Sequence, residues 1–586
     1  MRVSYLVLAF TLFSTSGAIA QGPTIHLNQI GFYPSAPKIA VITPSTSNTR
    51  FFVLDLAKGD TVFRGKLSAP RPNPLSGKNS QIADFSSLQK TGKYQLHLAD
   101  GTHSPTFVIA ATVHQDLARS VLKSYYFQRM STALPAAYAG AWARPFGHPD
   151  DKVLVHPSAA SAARPAGFEI SAPGGWYDAG DYNKYVVNSG ISTSTLLSLY
   201  EDFPQYCQQL NTNIPESQNQ LPDLLDEILW NLRWMLKMQD PNDGGVYHKL
   251  TNPSFDPMLI MPHEATKPRY VVQKTTTAAL NLAAVAAQAA RVLQPFKKQL
   301  PGLADSCLSV ARKAWDWSIQ NPNVLYQQNE LNKSFDPDVV TGAYDDRSAT
   351  DEWLWAATEL YLSTGEKQYQ SKIQLGNSLN VPTWNQVGTL AAFALARTKQ
   401  VLPADAQALR TQAIQYLQTL ADGLLSGLDQ RPYHTVMGKS ASDFVWGSSA
   451  VAANQALVLL QVYRLNKKAA YLQGALHNLD YLLGRNATGY CFVTGFGHKY
   501  PRHIHHRLSE ADGVEEPVPG LLSGGPNPGK QDKCPGYPSD APDECFIDDA
   551  CSYASNEIAI NWNAPMVYLA VAIEALAQKG AFKSKK

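Results

Sequence analysis

Charge is scarce in this chain. Aspartate, glutamate, lysine and arginine make up 17% of its 586 residues, while 44% are hydrophobic; an ordinary soluble domain carries roughly 25% charged residues. A disordered chain has the opposite balance, so that class is excluded. Neither sign of charge is in excess: 50 basic and 48 acidic side chains leave a formal net charge of +2, which provides no electrostatic footprint for nucleic acid. Cysteine is sparse, with six residues and no C-x-x-C pair among them, which argues against a structural zinc site. Uninterrupted apolar runs are short as well. Tyr5–Phe13 falls well under the roughly 20 residues that cross a bilayer. Thr276–Leu293 is broken by Asn281, Gln288 and Arg291 and reads as a buried helix of a large helical domain. No membrane or nucleic-acid partner is expected, and the chain is expected to be a monomer.

What is present begins with a leader. Arg2, the apolar run to Phe13 and the small residues ending in Ala18-Ile19-Ala20 match a secretory signal with an A-x-A cleavage site. The expectation is an exported protein, periplasmic or extracellular, whose mature chain begins at Gln21. Export permits disulfides, and six cysteines allow fifteen complete pairings. Cys534, Cys545 and Cys551 crowd together, and a local bridge such as Cys534–Cys545 is expected.

Two textures follow. From Thr24 to about Ala110, short runs such as KIAVITP, RFFVLDLA and GKYQLHLAD alternate apolar and polar residues between turn signals, the pattern of a small all-β sandwich. After Val113 the pattern turns helical and stays so, with about eleven helical runs from Leu117–Met130 to Glu557–Gln578. That is too many for a bundle, and it suits a toroid of paired helices whose loops build a cleft at one end.

Three loop segments carry the chemistry. SAPGGWYDAGDYNKY (Ser171–Tyr185) places Asp178 and Asp181 either side of Ala179-Gly180, so both carboxylates can project the same way from a tight turn. Two carboxylates that close either hold one water together or push each other's pKa values apart; helix capping is the simpler use of such a pair. GRNATGYCFVTGFGHKYPRHIHHR (Gly484–Arg507) ends in His505-His506-Arg507, a cluster suited to hydroxyl groups rather than to a metal. DDACSYASNEIAINWNAPMVY (Asp548–Tyr568) puts Glu557 at the expected start of a long helix, where favourable interaction with the helix dipole would account for it equally well.

Together with LDEILWNLRWMLKMQ, GGVYHK and WGSSAVAANQAL, these segments resemble glycoside hydrolase family 9, the cellulase family, over about Leu117–Leu576. HLNQIGFYPSAPKIAVI is similar to the Ig-like module that precedes the catalytic domain in one subgroup. The resemblance implies a mostly α fold: an (α/α)6 barrel over 112–586 behind an all-β Ig-like domain over 21–111. It implies that Asp181 is the general base, Asp178 its partner in holding the attacking water, and Glu557 the general acid. It puts His248, His505 and Arg507 at sugar-contacting positions, with Trp384 and Trp446 as stacking platforms. Asp351-Glu352, in SATDEWLWAA, resembles a calcium-ligating pair, with a solvated helix start as the alternative. No cofactor is required for the chemistry.

The implied activity is an inverting endo-β-1,4-glucanase acting on a β-1,4-linked glucan, since a water placed between sugar and base leads to inversion. An exo-acting β-glucosidase or exo-β-glucosaminidase of the same family is the alternative, with the loop Ala511–Asp549 as a wall closing one end of the cleft. A non-catalytic carbohydrate-binding protein would not need all three carboxyl groups.

Overall fold

A computed structural model describes residues 22–376 and 378–583; the expected leader lies outside the described residues. The β-rich part is a sandwich. One sheet runs in the order Thr24–His26, Ile39–Thr43, Asn79–Asp84, Arg71–Pro72, and the other Gly31–Phe32, Phe107–Ile109, Gly92–Leu98, Arg50–Asp55, Asp60–Lys66. Alternation decides which side chains enter the core: in Arg50–Asp55, Phe51 and Val53 are buried while Arg50 points to solvent. Phe32, Phe85 and Phe107 pack edge-on or tilted between the sheets.

The rest is helical. Among the described residues six helices line the centre: Val186–Asp202, Thr276–Leu293, Thr350–Thr364, Gly388–Arg397, Ser448–Asn466 and Ile560–Gln578. Outer helices Gln115–Phe127, Asp223–Lys237, Leu303–Gln320, Ala404–Leu425 and Ala469–Leu482 alternate with them along the chain, except between Thr350–Thr364 and Gly388–Arg397, which only the short Lys367–Gln370 turn separates. Sequence separates the two sets. Thr276–Leu293 is alanine-rich and buried at every position but Arg291, as a helix enclosed on all sides must be. Ala404–Leu425 buries only Ala406, Ala413, Leu417 and Ala421.

All six inner helices point their N-terminal ends the same way. At the opposite end they meet in a charged plug. Arg397 donates to Glu201 (2.8 Å), Gln461 and Tyr568 donate to Asp202 (2.7 and 2.6 Å), Arg464 pairs with Asp202, and Arg291 pairs with Glu359. Arg291, Arg397 and Arg464 stand near helix C-termini, where the helix dipole favours a cation. The N-terminal end is open and carries the loops. A small sheet there has the order Glu169–Ile170, Val153–Val155, Tyr270–Val271, Lys249–Thr251, Lys184–Tyr185, and it fixes the turn in front of the first inner helix.

The sandwich rests against the barrel. Ile39, Val41 and Ile82 pack on Tyr433, Asn28 donates to Asp480 (2.8 Å), Tyr33 Oη donates to Glu574 (2.6 Å), and Asn73 donates to Asp543 (2.7 Å).

Candidate active site

Asp178, Asp181 and Glu557 line one cavity of about 790 Å3 at the open end of the barrel. Its wall is assembled from segments that precede or open inner helices: Asp178–Tyr185, Thr341–Asp345, Thr383–Asn385, Val445–Asn454 and Tyr553–Trp562, with His505, Arg507 and Phe255 beside them. The D-A-G-D turn works because of its glycine. Gly180 lies so close to the His505 backbone that a Cβ there would stand 2.0 Å from the His505 carbonyl oxygen. Ala179 in turn bridges Ala559, and the Ile560 N–H donates to the Asp178 carbonyl (2.8 Å). Segments far apart in sequence are thus locked backbone to backbone beneath the carboxyl groups.

Each aspartate has its own set of donors. Asp178 receives the Tyr344 hydroxyl at Oδ2 (2.7 Å) and Asn188 Nδ2 at both oxygens (2.9 and 3.0 Å). Asp181 receives Asn183 Nδ2 (2.7 Å) and the Tyr185 hydroxyl (2.9 Å) at Oδ2. Burial, and then the neighbouring Asp181, push the Asp178 carboxyl up to about 8 against the pull of Tyr344 and Asn188. Glu557 is driven well above the usual carboxyl range, by burial first and then by Asp181 and Asp178, with Arg507 and the Gly180 N–H opposing. Its position differs from the sequence expectation. The long helix begins at Ile560, and Glu557 sits in extended backbone (φ −73°, ψ 164°) after a short turn of helix, paired with His505. Helix capping does not account for it.

Of the other expected contacts, Trp384 and Trp446 line the cavity, Trp446 being 43% exposed. His505 lines it and bonds the Ala550 carbonyl through Nδ1 (2.6 Å). Arg507 lines it too, but is buried, and donates to the carbonyls of Gly180 (2.8 Å) and Asp256 (2.9 Å), so it holds the aspartate turn as well. His248 does not face the cavity. It is fully buried, bonded to Thr275 Oγ1 and the Ala343 carbonyl, and stacked on Tyr326; its expected sugar contact is corrected to a bond inside the wall. The Ala511–Asp549 loop contributes no residue to this cavity and is held instead by the sandwich, through Asn73 on Asp543 and Lys78 on Glu544. The disulfide joins Cys534 in this loop to Cys551 just after it, not to Cys545, because the Cys545 thiol turns inward to the Asn527 carbonyl.

Sequence reading missed Tyr344, Tyr185, Asn188, Trp562, Tyr553 and Phe255. Tyr185 and Asn188 carried a local signal, since they follow the aspartates by four and ten residues. Tyr344 carried none, being 166 residues away from its partner.

Asp351 and Glu352 stand in the first turn of the Thr350–Thr364 helix. Asp351 accepts the Val387 N–H (2.5 Å). Glu352 is fully buried with neither carboxyl oxygen bonded, which corrects the solvated helix start. Two unpartnered buried oxygens suit a proton or a bound cation.

The sequence profile of Glycosyl hydrolase family 9 matches residues 114–570, and that of the Cellulase N-terminal ig-like domain matches residues 20–103. A xyloglucan-specific endo-β-1,4-glucanase from Bacteroides ovatus is 45% identical over 96% of this chain and 95% of its own. Endoglucanase D of Acetivibrio thermocellus is 30% identical over 93% and 82% respectively. A solved Bacteroides ovatus GH9 structure superposes with a TM-score of 0.90 at 44% identity, covering 94% of this chain and 99% of that one.

Proposed function

The chain belongs to glycosyl hydrolase family 9 and is a glycoside hydrolase, and on that premise we propose that it is an exported, inverting endo-β-1,4-glucanase whose substrate is xyloglucan. The observation that carries the endo reading is a single aromatic-walled cavity that takes all three carboxyl groups but no part of the Ala511–Asp549 loop. The 45% identical relative with that specificity supports xyloglucan, and the sequence of Met1–Ala20 supports export.

Acetal hydrolysis needs a proton on the departing oxygen and a water on the opposite face of the sugar. Glu557, kept protonated by its surroundings, supplies the proton. Asp181 accepts a proton from the water as it attacks the anomeric carbon. Asp178, pushed up to about 8 by burial and then by Asp181, retains its own proton at neutral pH and fixes the water's orientation. The C–O bond breaks with the electron pair leaving on the protonated oxygen, and the new hydroxyl appears with inverted configuration. A structural calcium at Asp351 and Glu352 would take the two unpartnered buried oxygens of Glu352 and hold the start of an inner helix beside the cavity.

The test is hydrolysis of xyloglucan, a soluble linear cellulose derivative and chitosan oligomers. Viscosity should fall faster than reducing ends appear, xyloglucan should be preferred, and proton NMR should show the α-anomer first. An initial β-anomer would overturn Asp181 as base. Glu557→Gln should lose about 100-fold or more in kcat while still binding oligosaccharide; near-normal turnover would refute it as the acid.

A further inference from the structure

Lys249 is a buried charge that this chemistry leaves without a purpose. It lies on the Lys249–Thr251 strand directly opposite Tyr185, and both side chains are buried. Its Nζ donates to Gln328 Oε1 (2.6 Å), the Gly342 carbonyl (2.6 Å) and Thr341 Oγ1 (3.2 Å). Three acceptors for three protons is the arrangement of an ammonium, yet all three are neutral. The carboxylates that draw on it, Asp181 and Asp345, act from beyond bonding distance, and burial pulls it down to about 7. A buried cation without an ion-pair partner costs several kcal/mol, which hydrogen bonds to neutral acceptors offset only in part. Stability does not account for this lysine.

Its neighbours do. The ammonium stands 5.5 Å from the centre of the Tyr185 ring and 5.2 Å from that of Tyr326, and the Tyr185 hydroxyl donates to Asp181. The same ammonium grips Thr341 and Gly342, while His248 bonds the Ala343 carbonyl (3.2 Å). The next residue, Tyr344, has a left-handed backbone (φ 51°), a conformation that costs a bulky residue about 1–3 kcal/mol and persists only where its surroundings hold it. That turn sends the Tyr344 hydroxyl to Asp178 and packs its ring on Tyr185 (4.8 Å) and Trp384 (5.1 Å).

We propose that Lys249 is a positioning residue for both aspartates, orienting Asp181 through Tyr185 and Asp178 through the Thr341–Tyr344 turn. This rests on reading Asp178 and Asp181 as the pair that holds the attacking water. Lys249→Met should lower kcat about 10- to 100-fold and leave KM within about twofold when assayed well below its melting temperature, which falls because buried acceptors lose their donor. Combined with Tyr185→Phe, it should cost little more than the worse single change, because both act on one unit. A kcat within about twofold of the unmodified enzyme, a loss carried by KM, or additive effects in the double variant would each overturn the proposal. Lys249→Gln, which keeps a donor in the same space, is judged by the same criteria if the methionine variant does not fold. Asp181→Asn separates the two levels. Its near-normal turnover would overturn the reading of the pair itself, whereas an inactive Asp181→Asn beside an unimpaired Lys249→Met would overturn only the role of the lysine.

Discussion

At the scale of single residues, the cavity trades stability for chemistry. Asp178 is held at about 8 when folded against roughly 3.9 in an unfolded chain. A carboxyl raised in this way adds its full stability below the unfolded pKa and loses it as pH rises through the folded one, by at most about 1.4 kcal/mol per pH unit. The folded enzyme therefore carries a penalty at neutral pH that is absent at pH 4. Asp178→Asn, which does not titrate, should melt higher than the unmodified chain at pH 7 and at the same temperature near pH 4, with turnover lost at both. Melting curves across that range check the sign. A gap that is constant, or widest at low pH, would show that the penalty does not come from this carboxyl.

At the scale of elements, the site depends on turns meeting ahead of helix N-termini. The helices were legible in the sequence from the spacing of their apolar residues, and Thr276–Leu293 needs no partner to be recognised as enclosed. D-A-G-D was legible as a motif, and the reason for its glycine was not: the obstruction is the carbonyl of His505, more than three hundred residues later. His248 and Lys249 show the same limit. The resemblance gives His248 a sugar contact and Lys249 no role, until the fold places Thr275, Ala343 and Gly342 around them. The disulfide was misread for a related reason, since distance along the chain does not reveal which way a thiol turns. Gly180→Ala tests the meeting of turns directly. The added methyl must push the His505 strand away from the aspartate turn, an overpacking cost of about 1–3 kcal/mol, and it separates Asp181 from the backbone that carries Glu557. We expect at least a tenfold loss of kcat with a lowered melting temperature. Full activity would mean that the two backbones can part without moving the carboxyl groups.

At the scale of the whole molecule, the sandwich contributes no residue to the cavity, yet it touches the barrel where it matters for the loops. Its sheet covers Tyr433 with Ile39, Val41 and Ile82, and full burial of such side chains stabilises by about 1.5–3 kcal/mol each. Tyr33 stacks on Phe582 and bonds Glu574 at the end of the last inner helix. Asn28 satisfies Asp480, which is buried. Asn73 and Lys78 hold Asp543 and Glu544, in the loop that the disulfide closes at Cys551, and from there the chain runs on to Tyr553 and Glu557 in the cavity wall. Removing the sandwich would uncover the Tyr433 surface and release that loop together. A chain beginning at Val113 keeps every carboxyl group of the site, so a passive spacer would leave its chemistry untouched. We expect instead a melting temperature lower by at least about 5 °C, as the loss of several kcal/mol requires, together with poor solubility and reduced specific activity on xyloglucan. Adding the separate sandwich domain back in excess should recover part of both if its folded surface alone is what the barrel lacks. An unchanged melting temperature with full specific activity would show that these contacts tether the sandwich to the barrel without supporting it.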